Sequence, residues 1–261
     1  MEDYSLGGGI SFSGSTGNIS GSIISNNIAE SGAGISCYNS SPTIEETVII
    51  GNEADYGGGI NCREFSSPTI SNVTIKNNTA SQGGGIRCRD GSHAYIESST
   101  IIGYSAFQYG GGIYSNNGNP NINLSIIVQN RAEHGGAIYG RINSDINIQS
   151  TTISDNFATE GGGLYLRNNS TTWVERTIFW NDSPQEIFLH PVEGATQLSV
   201  SYSDIEGGED SIVTNNNGYV YWFGGNIDSN PLFCDPQNGD YSVAANSPCQ
   251  ILNSDIGALG I

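Results

Sequence analysis

A repeat of 25 to 27 residues constrains this chain more than any other feature of its sequence. A Gly-Gly-Gly-Ile motif, or a close variant of it, recurs along most of the chain. The apolar residues that end these motifs are Ile10, Ile35, Ile60, Ile86, Ile113, Ile138 and Leu164, and Leu189 extends the series without its glycines. Such a period is typical of solenoid proteins, in which each unit packs only on its neighbours.

A second column of isoleucines advances with similar steps. Its members are Ile24, Ile49, Ile75, Ile102, Ile127, Ile153 and Ile178. Asparagine follows three residues later in all units but one, where Ser105 replaces it, and Asn181 ends that series. Stacked asparagines at a tight turn can bond one another through their side-chain amides. The pattern therefore predicts an amide ladder along one turn of the solenoid.

A third column lies five residues before the second. It contains Ile19, Ile44, Ile70, Ile122, Ile148 and Trp173, with Ile96 displaced by one position. Each unit thus holds three runs of three to five residues, which are too short for helices and rich in β-branched residues. We expect them to stack into three parallel sheets around a dry core, with a rise of about 4.8 Å per coil. Cys37, Cys62 and Cys88 fall in one inward column and should be buried as small apolar side chains.

The motifs GGGI, SPTI and VTIxxN together resemble the right-handed parallel β-helix repeats of secreted and surface bacterial proteins. They are also similar to the repeats of polymorphic outer-membrane proteins. The resemblance covers nearly the whole chain and implies an all-β, right-handed parallel β-helix of about eight coils. The same scaffold carries lyases, hydrolases, epimerases, adhesins and passive stalks, so the resemblance implies no single activity.

The period breaks near the C-terminus, which divides the chain into two regions. Residues 1–205 are predicted to form the coils, and residues 206–261 an irregular last coil and a C-terminal cap. A cap is expected because an open end exposes apolar core and unpaired strand edges. Cys234 and Cys249 could form a disulfide or remain free. No metal site is evident, although residues 235–240 could form a Ca²⁺ turn as well as a plain one.

Charge and composition exclude two classes of function. Lys and Arg number 8 against 26 Asp and Glu, which gives a net charge of −18 and argues against a nucleic-acid partner. No apolar stretch approaches the roughly 18 residues of a transmembrane segment. Acidity, scarce lysine and abundant Asn, Ser, Thr and Gly favour an extracellular or cell-surface location. We expect a targeting segment to precede the repeats.

One predicted sheet concentrates the basic residues of this acidic chain. Residues beside an inward position should face solvent. Counting one or three positions past the first-column residues gives Arg63, Arg87, Arg89, Tyr114, Tyr139, Arg141, Tyr165 and Arg167. Arginines on adjacent strands repel unless an anion lies between them. The pattern predicts a groove for a polysaccharide or cell-surface glycan, with arginine clamping carboxylate or sulfate and tyrosine stacking on sugars.

Two alternatives to this binding groove remain open. In the first, acidic residues in adjoining turns, among them Asp90 and Glu133, neutralise the arginines. In the second, the sheet is the active site of a polysaccharide lyase, with His134 as base, Arg141 or Arg167 as charge neutraliser and Tyr139 as acid. The catalytic motifs of known β-helix hydrolases, epimerases and pectate lyases are absent. The leading hypothesis is therefore a structural or adhesive surface module that binds polysaccharide.

Overall fold

The computed structural model describes residues 7–190, 194–251 and 256–257, which form a parallel β-solenoid of about eight turns. Each turn passes through three long sheets in chain order. Sheet 1 contains Ile10–Ser13, Ile35–Tyr38, Ile60–Arg63, Ile86–Arg89, Ile113–Asn116, Ile138–Arg141, Leu164–Leu166 and Ile187–Leu189. The apolar columns of the repeat meet in the interior, so the predicted all-β fold is confirmed.

The other two long sheets complete the walls. Sheet 2 contains Asn18–Ser20, Thr43–Glu45, Thr69–Ser71, Tyr95–Glu97, Asn121–Asn123, Asp145–Gln149, Thr171–Glu175, Thr196–Ser201 and Gly218–Trp222. Sheet 3 contains Ile23–Ser25, Val48–Ile50, Thr74–Lys76, Thr100–Ile102, Ile126–Val128, Thr152–Ser154, Ile178–Trp180 and Asp204–Ile205. No helix within the described residues is long and apolar enough to cross a membrane.

A fourth sheet, which the sequence did not predict, lies between sheet 3 and the next strand of sheet 1. Sheet 4 contains Ile28–Ser31, Glu53–Tyr56, Thr79–Gln82 and Ser105–Tyr109. Isolated bridges continue it, including Tyr109 to His134 and His134 to Glu160. His134 and Glu160 thus lie on adjacent coils.

The strand register corrects several column assignments by one or two residues. Ile75 pairs with Ile101 rather than Ile102, and Ile153 pairs with Phe179 rather than Ile178. Similarly, Val174 and not Trp173 is inward, Ile96 is not displaced, and Ile187 and not Leu189 continues the first column. A shift of one residue turns a side chain to the opposite face. Neighbouring apolar residues, as in Ile101-Ile102, concealed these shifts in the sequence.

The predicted amide ladder is present, with corrected membership. Asn27 Nδ2 donates to Asn52 Oδ1 at 2.8 Å, and Asn52 Nδ2 donates to Asn78 Oδ1 at 2.9 Å. The buried phenol of Tyr104 then takes the place predicted for Ser105. Farther along, Asp182 rather than Asn181 accepts from Asn156 and ends the ladder. Two ladder positions thus carry other polar groups that preserve the stacking.

The glycine motif is required by close packing between coils. Gly83 has a φ of +68°, a region that favours glycine. A Cβ at Gly111 would lie 2.3 Å from the carbonyl oxygen of Gly136 in the next coil. Backbone conformation at Gly83 and lack of space at Gly111 therefore both favour glycine.

The C-terminal region continues the solenoid and then folds back along its side. Gly218–Trp222 adds a ninth strand to sheet 2. The 3₁₀ turn Glu209–Ser211 precedes this strand. After it comes an antiparallel hairpin, Phe233–Asp235 and Asp240–Val243, with the 3₁₀ turn Pro236–Asn238 between its strands, and then the short helix Pro248–Ile251. Tyr241 packs on Ile126 and Val128, on the outer face of sheet 3. We expected residues 206–261 to cover the open end, whereas these contacts lie on a side wall. Residues 252–255 and 258–261 of this region, and 1–6 and 191–193 of the coils, lie outside the described residues.

The five cysteines are all unbonded. Cys37, Cys62 and Cys88 are buried in one inward column, as predicted. Cys234 is exposed, whereas Cys249 is buried and lies 3.2 Å from Asp204 Oδ2. Cys234 and Cys249 therefore do not form a disulfide in this structure.

We expect Asn130→Ala to lower the free energy of unfolding by about 3 kcal/mol. The change leaves the backbone N–H of Tyr104 and the carbonyl of Ile101 without their partner in a buried turn. Urea unfolding measures the effect. Asn147→Ala removes an amide from a half-buried outward position of sheet 2 and should cost less than about 0.5 kcal/mol. Equal losses in the two variants would contradict a structural role for the ladder.

A buried carboxyl pair at the end of the ladder should make stability depend on pH. Burial raises the pKa of Asp182 to about 7 and raises that of Glu186 as well. The folded pair therefore keeps a proton that the unfolded chain releases above pH of about 4. Stability should then fall as the pH rises from about 4 to 7, because the folded state binds more protons over that range.

Glu186→Gln should reduce this pH dependence. Chemical unfolding at several pH values between 4 and 8 measures the slope for the native chain and the variant. Glu97→Gln, at an exposed position of sheet 2, provides the control and should leave the slope unchanged. An identical slope in the native chain and Glu186→Gln would show that the pair does not hold the proton.

Candidate functional site: an arginine groove

A groove of about 320 Å³ lies where sheet 4 meets sheet 1. We call it the arginine groove, because four arginines line it: Arg63, Arg87, Arg89 and Arg141. Sheet 4 contributes Tyr56 and Gln82 to its lining, and sheet 1 contributes Tyr114 and Asn116. Five of the eight residues predicted to bind a glycan are thus brought together.

Glycine turns between the two sheets create this corner. At Gly57 and Gly83, φ values of +65° and +68° bend the chain from sheet 4 into sheet 1. A Cβ at Gly83 would lie 2.9 Å from Cβ of Arg87, so the bend brings the chain back over the first outward position. Residues at that position are consequently covered. The structure therefore contradicts the prediction that they face solvent.

The covered tyrosines form a stack outside the main core. Ring centroids are 5.5 Å apart for Tyr114 and Tyr139, 5.0 Å for Tyr139 and Tyr165, and 5.3 Å for Tyr165 and Phe188. Each of the three tyrosines is at most 1% exposed. Burial raises the pKa of Tyr139 to about 12. The predicted stacking of sugars on Tyr139 and Tyr165 is therefore incorrect, because their faces are occupied by neighbouring rings.

Arg87 continues this stack with a cation. Its guanidinium carbon lies 4.6 Å from the ring centroid of Tyr56 and 5.6 Å from that of Tyr114. Its nitrogens donate to Asn61 Oδ1 at 3.3 Å and to Gln82 Oε1 at 3.4 Å. The residue is only 3% exposed. Burial, followed by the positive charge of Arg89, lowers the pKa of Arg87 to about 10. The protein thus holds a desolvated cation among like charges.

Neutralisation by neighbouring acids holds for only one arginine of the groove. Arg89 Nε lies 2.7 Å from Asp90 Oδ2. Within the described residues, no carboxylate lies within 4.0 Å of the guanidinium nitrogens of Arg63, Arg87 or Arg141. The buried Nε atoms of these three residues also lack a hydrogen-bond partner. Among the described residues, three positive charges in the groove thus have no carboxylate partner.

The proposed lyase residues do not meet at one accessible surface. His134 Nδ1 lies 3.3 Å from Glu160 Oε2, and its ring stacks on Tyr109. Tyr139 is fully buried, so its hydroxyl cannot act as an acid on a polymeric substrate. Arg141 lines the groove, whereas His134 and Tyr139 are not among its described lining residues. Arg167 lies outside this lining and donates from Nε to Asn168 Oδ1.

The sequence did not assign Tyr56, Gln82 and Asn116 to the site. Tyr56 and Gln82 lie four residues before the first-column isoleucines Ile60 and Ile86. Their common offset was a usable signal, because it is the same as that of His134. What the sequence could not show was the bend that folds this position over sheet 1.

The residues considered for a Ca²⁺ turn have partners within the protein. Asp235 Oδ2 accepts from Asn238 Nδ2 at 2.8 Å, and Asp240 Oδ1 accepts from the backbone N–H of Ser242 at 3.0 Å. No group of three or more His, Cys, Asp or Glu side chains suited to a metal occurs in the part of the chain that the structure describes.

Repeated coils, stacked parallel strands and a charged groove on one wall define a β-solenoid protein. A family model described as "Right handed beta helix region" matches residues 58–232, about two thirds of the 261 residues. The chain therefore belongs to the right-handed β-helix family. No curated protein and no solved structure matches it.

We expect Arg63→Gln to raise the free energy of unfolding by about 0.5 kcal/mol at low ionic strength, in the absence of an anion. The change removes one of the uncompensated charges of the groove. Arg176→Gln serves as a control with the opposite sign, because Arg176 pairs with Glu175 at 2.5 Å. Both effects should shrink in high salt, which screens charges. Destabilisation by Arg63→Gln at low salt would argue against repulsion in the groove.

Proposed function

We propose that this protein is a secreted or cell-surface β-helix module, structural or adhesive in role, that binds an acidic polysaccharide in the arginine groove. One observation carries the proposal. The groove holds Arg63, Arg87 and Arg141 without a carboxylate partner among the described residues, in a chain with a net charge of −18. An acidic protein that retains such a cluster gains from it only when an anion binds.

Burial of Arg87 strengthens this argument. Removing a guanidinium from water is costly unless a partner compensates for it. Tyr56 and Tyr114 offset part of the cost through cation–π contact. Full compensation requires an acceptor with negative charge, and arginine matches carboxylate and sulfate oxygens with paired N–H donors. The protein thus provides an anion site that is built before the ligand arrives.

The shape of the site favours a chain over a compact ligand. Arg89, Asn116 and Arg141 lie at one position of three consecutive strands of sheet 1. Consecutive strands are about 4.8 Å apart, so these residues follow the solenoid axis. A glycan running parallel to the axis would meet one polar side chain per coil.

A rigid scaffold suits an adhesive or structural role. The interior contains an uninterrupted file of buried apolar residues from Ile19 and Ile24 to Ile205. Parallel pairing and the asparagine ladder lock each coil to the next. Such a body holds its binding row in a fixed geometry, which lowers the entropic cost of binding an extended polymer.

Acidic glycans should bind to the native chain, and neutral glycans should not. The probes are oligogalacturonate and chondroitin sulfate, with maltohexaose as the neutral control, measured by titration calorimetry. Arg141→Gln should lower the affinity for the acidic glycans roughly tenfold, as expected for a lost charged hydrogen bond. Lys76→Gln, in sheet 3, is the matched control and should leave affinity unchanged. The proposal would be overturned if maltohexaose bound as tightly as the acidic glycans, or if none of the three probes bound.

The same mixtures test the lyase alternative. A lyase produces an unsaturated uronate that absorbs ultraviolet light, whereas a binding module leaves the polymer intact. We expect no absorbance to develop with oligogalacturonate or chondroitin sulfate. Product that appears with the native chain and is lost in His134→Ala would replace the binding assignment with a catalytic one.

A further inference from the structure

The arginine groove has a charge density that distinguishes between classes of acidic glycan. Of its four arginines, only Arg89 has a carboxylate partner within 4.0 Å among the described residues. About three positive charges therefore face a volume of about 320 Å³. That volume is at the lower end of the roughly 300–1,000 Å³ typical of ligand sites, so only a short stretch of glycan can occupy it.

The ligand must supply its negative charge within that short stretch. A uronate polymer carries one carboxylate per sugar. A sulfated glycan can carry two or more charges per sugar, and sulfate esters stay ionised throughout the range in which proteins are stable. Three arginines that line so short a stretch therefore favour a ligand with the higher charge density.

The arrangement of the arginines also favours a tetrahedral anion. Arg63 and Arg89 lie on adjacent strands of sheet 1, and both are close enough to Arg87 to lower its pKa. Three guanidinium groups from two adjacent coils thus line one region of the groove. A sulfate ester offers three terminal oxygens in different directions, whereas a carboxylate offers two in one plane. The first can accept from all three arginines at once.

We propose that the preferred ligand of the arginine groove is a sulfated glycan rather than a carboxylate-only polymer. This inference rests on the proposed function, since it specifies the substrate class of the same site. One sulfate lies among Arg63, Arg87 and Arg89, and a second charged group farther along the axis meets Arg141. Gln82 and Asn116 supply neutral hydrogen bonds between them.

The test uses three hexasaccharides of equal length with the native protein. They are a heparin hexasaccharide, the same hexasaccharide after chemical desulfation, which keeps its carboxylates, and hexagalacturonate. We expect the sulfated form to bind at least about tenfold more tightly than either of the others, the size of one or more charged hydrogen bonds. Inorganic sulfate should compete only at much higher concentration, because it engages one subsite.

Variants separate this preference from general charge attraction. Arg63→Gln should reduce the ratio of sulfated to desulfated affinity several-fold, and Arg87→Lys should do the same while retaining the charge, because lysine lacks the planar pair of donors. Arg176→Gln removes one positive charge from the turn between sheet 2 and sheet 3 and should leave the ratio unchanged. Circular dichroism confirms that each variant is folded.

The outcomes distinguish the two proposals. Equal or tighter binding of hexagalacturonate, with loss in Arg141→Gln, would overturn the preference for sulfate and leave the acidic-glycan function intact. Absence of binding by all three hexasaccharides would overturn both. Sulfated binding that is unaffected by Arg63→Gln and Arg87→Lys would place the ligand outside the groove and reject the inference.

Discussion

Parallel pairing of each coil with the next is the interaction on which the rest of this structure depends. It places identical or similar side chains above one another at intervals that are mostly 25 to 27 residues, as in the pairings of Ile10 with Ile35, Ile49 with Ile75 and Ile86 with Ile113. Stacking like over like allows the narrow interior to fill with branched side chains without voids. It also lets polar groups, such as Asn52 and Asn78, satisfy one another inside a turn.

The same pairing that builds the core also builds the arginine groove. Because Arg63 and Arg87 lie on neighbouring strands of sheet 1, their positive charges lie on one wall of the solenoid. Stacked asparagine side chains form hydrogen bonds with one another. Guanidinium groups have no acceptor atoms and cannot do so. Among the described residues, the groove is thus a place where stacking creates a charge conflict. The resolution that we propose is an anionic ligand.

The tyrosine stack shows how a structural element can support a binding site without contacting the ligand. Tyr114, Tyr139 and Tyr165 fill the space between sheet 1 and the covering chain. They supply an aromatic surface at the end of the stack, on which Arg87 lies. Their burial argues against both sugar stacking and proton donation by Tyr139. Of the three, Tyr114 is the one whose ring faces the guanidinium of Arg87.

Much of the fold was predictable because a solenoid converts sequence period into space directly. The repeat length, the short β-branched runs and the asparagine column were sufficient for the parallel sheets and the ladder. Errors arose where two apolar residues stood side by side, as at Ile101-Ile102, since alternation allows either to face inward. For the site, the sequence correctly grouped Arg63, Arg89 and Arg141 on one sheet.

The sequence by itself determined that coils stack and that arginines gather on one wall, because both follow from the interval between similar residues. Only the tertiary structure decided which outward side chains reach solvent. The bend at Gly57 and Gly83 folds sheet 4 over sheet 1, which buries Tyr139 and Arg87 and leaves a corner lined by Tyr56 and the arginines. That closure depends on the path of the chain between strands, which no single column of residues encodes.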